Sequence, residues 1–185
     1  NECYKMKVLI FNGTLNKPND TSQEIANYLK EYLLQLGATP VIFNLSEYDI
    51  PFFEEDFSEV PDSVTKMLQV FKEYDRHIWL SPLYHGGMVG AMKNCLDWLI
   101  LSSNDENPYL THKIIALICW GYGANASTGI DSLRNIVATL RAWALPYSVP
   151  IAREYLYEEE RFSIIYEEKF QRISELLLRS QITVV

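Results

Sequence analysis

Between Leu80 and Leu101 the chain reads LSPLYHGGMVGAMKNCLDWLIL, a stretch that restricts the possible folds more than any other. It continues the apolar run His77-Ile78-Trp79-Leu80, whose composition suits a strand covered on both faces, as central parallel strands are. Pro82 has no N–H and predicts an end to strand pairing at Ser81-Pro82. Gly86-Gly87 then allow backbone conformations closed to other residues and leave amides open to a flat ligand. From Val89 onward, Val89, Met92, Leu96, Leu99 and Ile100 fall at roughly helical spacing, with Lys93 and Asp97 four apart on one side. Strand, glycine loop and helix in this order deliver free amides and one aromatic, Tyr84, to the carboxyl edge of a sheet, where open α/β sheets bind ligands.

The same unit occurs on either side of it. Lys7 to Phe11 is apolar and stops at Asn12-Gly13. The polar loop Gly13 to Ser22 follows, then a helix in which Ile25, Leu29, Tyr32, Leu33 and Leu36 share a face and which Gly37 ends. The amides of that helix start, with the hydroxyls of Thr14, Thr21 and Ser22, suit a phosphate. Taken alone, the loop reads equally well as a helix start capped by Thr21 or Ser22. It is neither a G-x-x-x-x-G-K-[ST] loop nor a G-x-G-x-x-G fingerprint. Lys113 to Trp120 is a further apolar strand, entering the loop Gly121 to Gly129. The helix after it, from Ile130 to Trp143, carries Leu133, Ile136, Val137 and Leu140 on one face with Arg134 off it. Pro40 to Leu45 and Tyr147 to Ile151 complete five strands; Pro61 to Tyr74 and Ser163 to Arg179 complete five helices. Such alternation implies an α/β fold whose parallel sheet is covered on both faces. The loop from Tyr48 to Asp56 reads as a surface loop anchored by its aromatics, its other reading being a rim over the site or a subunit contact. The acidic stretch Glu154 to Glu160 reads as a solvated connection.

Composition narrows the classes. With 185 residues, 48% hydrophobic, and no linker-like or charge-block segment, the expectation is a single domain over residues 1–185. A net charge of −8 opposes a nucleic-acid backbone or an anionic membrane as partner. No apolar run approaches the roughly 20 residues that span a bilayer, and NECYKMKVLI lacks a signal-peptide hydrophobic region; a cytoplasmic protein is expected. Cys3, Cys95 and Cys119 suit reduced thiols, the latter two in the core. His77, His85 and His112 lack metal-ligand spacing with one another or with a cysteine pair, so no metal site is expected.

The segment SPLYHGGMVGAMKNCLDWL resembles the second cofactor loop and following helix of the NADPH-dependent FMN reductase family. The correspondence lies at Pro82, Tyr84, His85, Gly86, Gly90, Met92, Lys93, Asn94 and Asp97, with Leu133-Arg134 as a weaker echo in a later helix. The resemblance extends from Lys7 to about Pro150. It implies a flavodoxin-like three-layer sandwich, a five-stranded parallel sheet in the order 2-1-3-4-5, whose loops after the first, third and fourth strands meet at one edge. It also implies bound FMN, with the phosphate in the first loop at Thr14, Asn16, Thr21 and Ser22. The isoalloxazine then lies between Pro82, Leu83, Tyr84, His85, Gly86 and Gly87 of the second loop and Gly121, Tyr122, Gly123 and Asn125 of the third. A flavin that carries the hydride chemistry needs no catalytic side chain, only a cradle, an open face and N–H donors at the ring's developing negative charge.

The activity implied is an NAD(P)H oxidoreductase that passes a hydride through FMN to a small acceptor such as free flavin or a quinone. A non-enzymatic flavodoxin-like electron carrier, which acidic charge would suit, is the alternative, and a cofactor-free interaction domain the third. The resemblance further implies a homodimer or homotetramer, for which Met88, Met92, Trp98 and Leu101 offer apolar bulk. Where the family commonly reads Gly-Ser-x-Arg, this chain has Gly13-Thr14-Leu15-Asn16. That arginine can engage the extra phosphate of NADPH in the resembled family; here Asn16 is neutral and only Lys17 is positive nearby, which predicts weaker discrimination between NADPH and NADH than the family pattern implies.

Overall fold

The computed structural model describes residues 6–16 and 20–183; Cys3 and Lys17 lie outside them. Strands β1 (Lys7–Asn12), β2 (Thr39–Asn44), β3 (Arg76–Tyr84) and β5 (Ile114–Gly121) pair in parallel in the order β2-β1-β3-β5. The register runs Ile10↔Ile42, Ile10↔Ile78 and Ile78↔Ala116. The fifth position is filled in two pieces. β6 (Trp143–Ala144) pairs with the start of β5 and β7 (Val149–Ala152) with its end. Arg134 explains how the interruption is tolerated, since its guanidinium donates to the carbonyls of Leu145 (3.3 Å) and Pro146 (2.8 Å) and to Ser148 Oγ (3.0 Å). The expected order 2-1-3-4-5 is therefore present, its last strand beginning at Val149 rather than Tyr147.

Residues alternate along each strand between two cores, which is why the stretches 8–11, 78–80 and 114–120 of the central strands are apolar throughout. Val8, Ile10, Ile78, Leu80, Ala116 and Ile118 face α1 (Thr21–Gln35) and α5 (Ile164–Arg179). Leu9, Phe11, Trp79, Ile115 and Leu117 face α2 (Asp62–Glu73), α3 (Gly90–Asp97) and α4 (Ala126–Thr139). Gly37, at φ +83°, ends α1 while Ala38 N–H donates back to Leu33 O (3.0 Å), a Schellman-type stop.

Several boundaries depart from the sequence reading. α4 starts four residues earlier than Ile130 and ends at Thr139, so Trp143 is an exposed edge-strand residue and not part of a helix. Residues Glu154 to Glu160 are not merely a solvated connection. They include a 3-10 turn and most of a hairpin formed by β8 (Tyr157–Glu158) and β9 (Arg161–Phe162). Met92 and Trp98 are buried in the core. Trp98 donates to Pro51 O (2.9 Å) and packs on Phe53 (ring centroids 5.2 Å). They provide no spare apolar surface for a subunit contact. The same contacts anchor the Tyr48–Asp56 loop, with Asn94 accepting from Phe53 N–H and donating to Pro51 O, each at 2.9 Å. Among the described residues no helix is long and apolar enough to cross a membrane.

Candidate active site

The first loop leaves the sheet beside the core. Gly13 N–H donates to Leu80 O (3.0 Å), and a Cβ on Gly13 would stand 2.7 Å from Met92 Cγ and closer still to its Sδ, so any side chain there would have to displace Met92 where the loop passes α3. Thr14 and Ser22 are buried. Thr14 Oγ1 accepts from Asn16 N–H (3.2 Å), and Ser22 Oγ accepts from Asn12 Nδ2 (3.3 Å). The helix cap is Asp20, not Thr21 or Ser22. Asp20 Oδ1 accepts from Thr21 N–H (2.6 Å) and its Oδ2 from Asn16 Nδ2 (2.5 Å). Asn12 also donates to Asn44 Oδ1 (3.2 Å), while its buried Oδ1 has no partner among the described residues.

The second loop is tighter than expected. Pairing does not stop at Pro82, which stays in register opposite Trp120; β3 continues to Tyr84 and folds back on β4 (Gly87–Met88). The two turn residues, His85 (φ +49°) and Gly86 (φ +86°), have the positive φ pair of a type I′ hairpin, whose twist matches that of its strands. Pro82 is accommodated because here the missing N–H falls near the end of the strand. Ser81 Oγ accepts from Val89 N–H (3.3 Å) and ties the hairpin to the start of α3.

The third loop begins where β5 ends at Gly121. Gly121 and Gly129 both lie against Leu83: a Cβ on either would approach its side chain to 3.1 and 3.0 Å. Tyr122 is 73% exposed. Gly123 N–H is already taken by Glu154, whose Oε1 and Oε2 accept it at 3.0 and 3.1 Å.

These elements enclose a cavity of about 290 Å³ at the carboxyl edge of the sheet. From the residues expected at a site, Asn16, Pro82, Leu83, Tyr84, His85, Gly121 and Tyr122 line it. Thr14, Thr21, Ser22, Gly86, Gly87, Gly123 and Asn125 do not, although all lie close by in the chain, Thr21 and Ser22 in the first turn of α1 and Gly87 just after the His85-Gly86 turn. Asp20, Trp120 and Arg153 line it unforeseen. Arg153 directly follows the strand β7, at the same sheet edge as the three loops, and that placement was its only sequence signal. Two larger grooves, of about 540 and 520 Å³, lie on the side of α3, and neither is reached by all three loops.

The thiols take no part. Burial pushes Cys119 up to about 12 and Cys95 higher, and both are free and enclosed. Tyr157 is raised to about 12, first by burial and then by its hydrogen bond to Glu24 on α1.

A model of the NADPH-dependent FMN reductase family matches residues 6–155. The chain belongs to the NADPH-dependent FMN reductase family. An FMN-dependent NADPH-azoreductase of Staphylococcus aureus (strain USA300) is 31% identical over 151 residues, covering 78% of this chain and 76% of that protein. Among solved structures, the flavoenzyme NAD(P)H:(acceptor) oxidoreductase FerB from Paracoccus denitrificans superposes with a TM-score of 0.75 at 16% identity, over 94% of this chain and 95% of that one. An FMN-dependent NADH-azoreductase from Bacillus anthracis, solved in complex with FMN, gives 0.66 at 14% identity, over 94% and 98%. These superpositions bear out the flavodoxin-like fold, and family membership places the chain among oxidoreductases that use NAD(P)H and FMN.

The residues present fit FMN. A flat ligand is matched by a cavity walled by Pro82, Tyr84 and Tyr122, and at the end of β1, where the first loop leaves, the buried Asn12 Oδ1 has no partner among the described residues and could accept from a polar ligand.

Proposed function

We propose that the chain is a single-domain FMN-dependent NAD(P)H oxidoreductase that reduces a small, flat acceptor such as free flavin, a quinone or an azo compound. The observation that carries this reading is the convergence of the loops after β1, β3 and β5 on one cavity in a chain of this family. When bound, FMN supplies the redox chemistry by accepting a hydride from the nicotinamide and passing two electrons on.

The chain's own residues bind and orient. The first loop and the start of α1 hold the phosphate, with Thr14 and Ser22 as hydroxyl partners and Asn16 at the cavity wall. Pro82 to Gly87 form a wall whose stiffness comes from the type I′ turn. The third loop would present backbone N–H donors to the pyrimidine edge, where negative charge develops, while Gly123 N–H stays with Glu154. Exposed Tyr84 and Tyr122 leave room for a second flat molecule at the mouth.

The test is aerobic and anaerobic turnover of NADPH and NADH by FMN-loaded protein with a series of flavin, quinone and azo acceptors. Sustained nicotinamide oxidation that depends on the acceptor supports an enzyme. Bound flavin without turnover would instead identify an electron carrier.

A further inference from the structure

The cavity carries two side chains of fixed charge, the Asp20 carboxylate and the Arg153 guanidinium. A phosphate monoester brings a charge of about −1.5 to −2, and it would meet Asp20 at the helix cap in a chain of net charge −8. The first loop gives no compensating arginine, since Asn16 stands in that place and is occupied with Asp20. Arg153 is thus the one permanent cation among the described residues that line the cavity.

Its surroundings hold it there. The guanidinium lies over the Tyr122 ring, 5.6 Å from its centroid, a cation–π contact. Among the described residues Arg153 forms no ion pair and its side chain donates no hydrogen bond. The next residue, Glu154, grips Gly123 N–H, and the following hairpin is fastened to α1, where Tyr157 bonds Glu24 and Phe162 packs on Tyr28 at 5.6 Å. The backbone around Arg153 is therefore pinned between the third loop and the first turns of α1.

We infer that Arg153 recognises the phosphate monoester of FMN, reaching it from the end of β7. This rests on the proposed function. A planar guanidinium fork held over an aromatic ring is suited to a bidentate bond with phosphate oxygens, and it offsets the repulsion of Asp20.

The test is equilibrium titration of wild type, Arg153→Ala and Arg153→Lys with FMN and, in parallel, with riboflavin, which has the same ring and polyol without the phosphate. Arg153→Ala should weaken FMN binding about ten- to a hundred-fold and leave riboflavin unchanged. Arg153→Lys should recover part of the loss. Unchanged FMN affinity, or equal losses for both flavins, overturns the inference, the second because it points to the ring or to the fold. If FMN affinity is unchanged but the kcat/KM preference for NADPH over NADH collapses, the phosphate recognised is that of the nicotinamide nucleotide, and the assignment to FMN is wrong. Wild-type protein that binds neither flavin overturns the proposed function and this inference together. Wild type that binds both, with a variant that binds FMN normally, overturns this inference alone.

Discussion

Acid should weaken this fold through His77, at the start of β3. The ring is fully buried and satisfied as a neutral imidazole: Trp79 Nε1–H donates to Nδ1 (3.3 Å), so Nε2 carries the proton and faces Tyr74 O (2.9 Å). A second proton would break the Trp79 bond and place a charge in the core near Lys113, itself buried and bonded to Lys72 O (2.7 Å). Burial first and Lys113 second pull His77 from 6.5 down to about 3. The unfolded chain therefore takes up the proton first. Stability contributed by neutral His77 is fully present above its unfolded value of 6.5 and is lost as pH falls from there toward 3. Between pH 7 and pH 5 the loss is about 2 kcal/mol, at about 1.4 kcal/mol per unit of pH below the unfolded value. Urea unfolding of wild type and His77→Gln at both pH values measures it, because glutamine can accept from Trp79 and donate to Tyr74 without titrating. Wild type should lose about 2 kcal/mol more than the variant. Parallel losses would refute the reasoning.

Other perturbations test the site. Gly13→Ala drives a methyl group into Met92 and should cost about 1–3 kcal/mol of stability, with FMN affinity reduced, as urea midpoints and flavin titration would register. Thr14→Ala with Ser22→Ala should lower FMN affinity several-fold to about a hundred-fold, each lost bond to the phosphate being worth about 1.5–3 kcal/mol; unchanged affinity in the titration removes the phosphate from this loop. Asn16→Arg should raise the NADPH over NADH ratio of kcat/KM by no more than about ten-fold, since the new guanidinium would be drawn to Asp20, which already accepts from Asn16.

The layering was legible because a central parallel strand cannot hide its composition: β1, β3 and β5 are apolar on both faces, and their neighbouring loops carry the glycines. Pro82 misled because its missing N–H costs little at a strand end. The hairpin at His85-Gly86 was obscured because His-Gly is not among the Asn-Gly, Asp-Gly or Gly-Gly pairs that signal a type I′ turn. Trp143 joined a helix in the sequence reading although the structure places it in a two-residue edge strand, too short to leave a periodic pattern. Arg153 escaped notice for a different reason. Its role depends on β7 ending beside β5, a long-range pairing that local spacing does not encode, and on a cation–π contact with Tyr122.

The central claim is that FMN sits where the loops after β1, β3 and β5 meet. Amide hydrogen exchange with and without FMN tests it most directly, because it reports which backbone segments the ligand covers. Slowed exchange confined to residues 13–23, 82–90 and 121–126, with 153–157 responding alongside, is the predicted result. Protection centred instead on the larger apolar groove around Tyr48, Phe52 and Ala91, with the three loops unchanged, would contradict it.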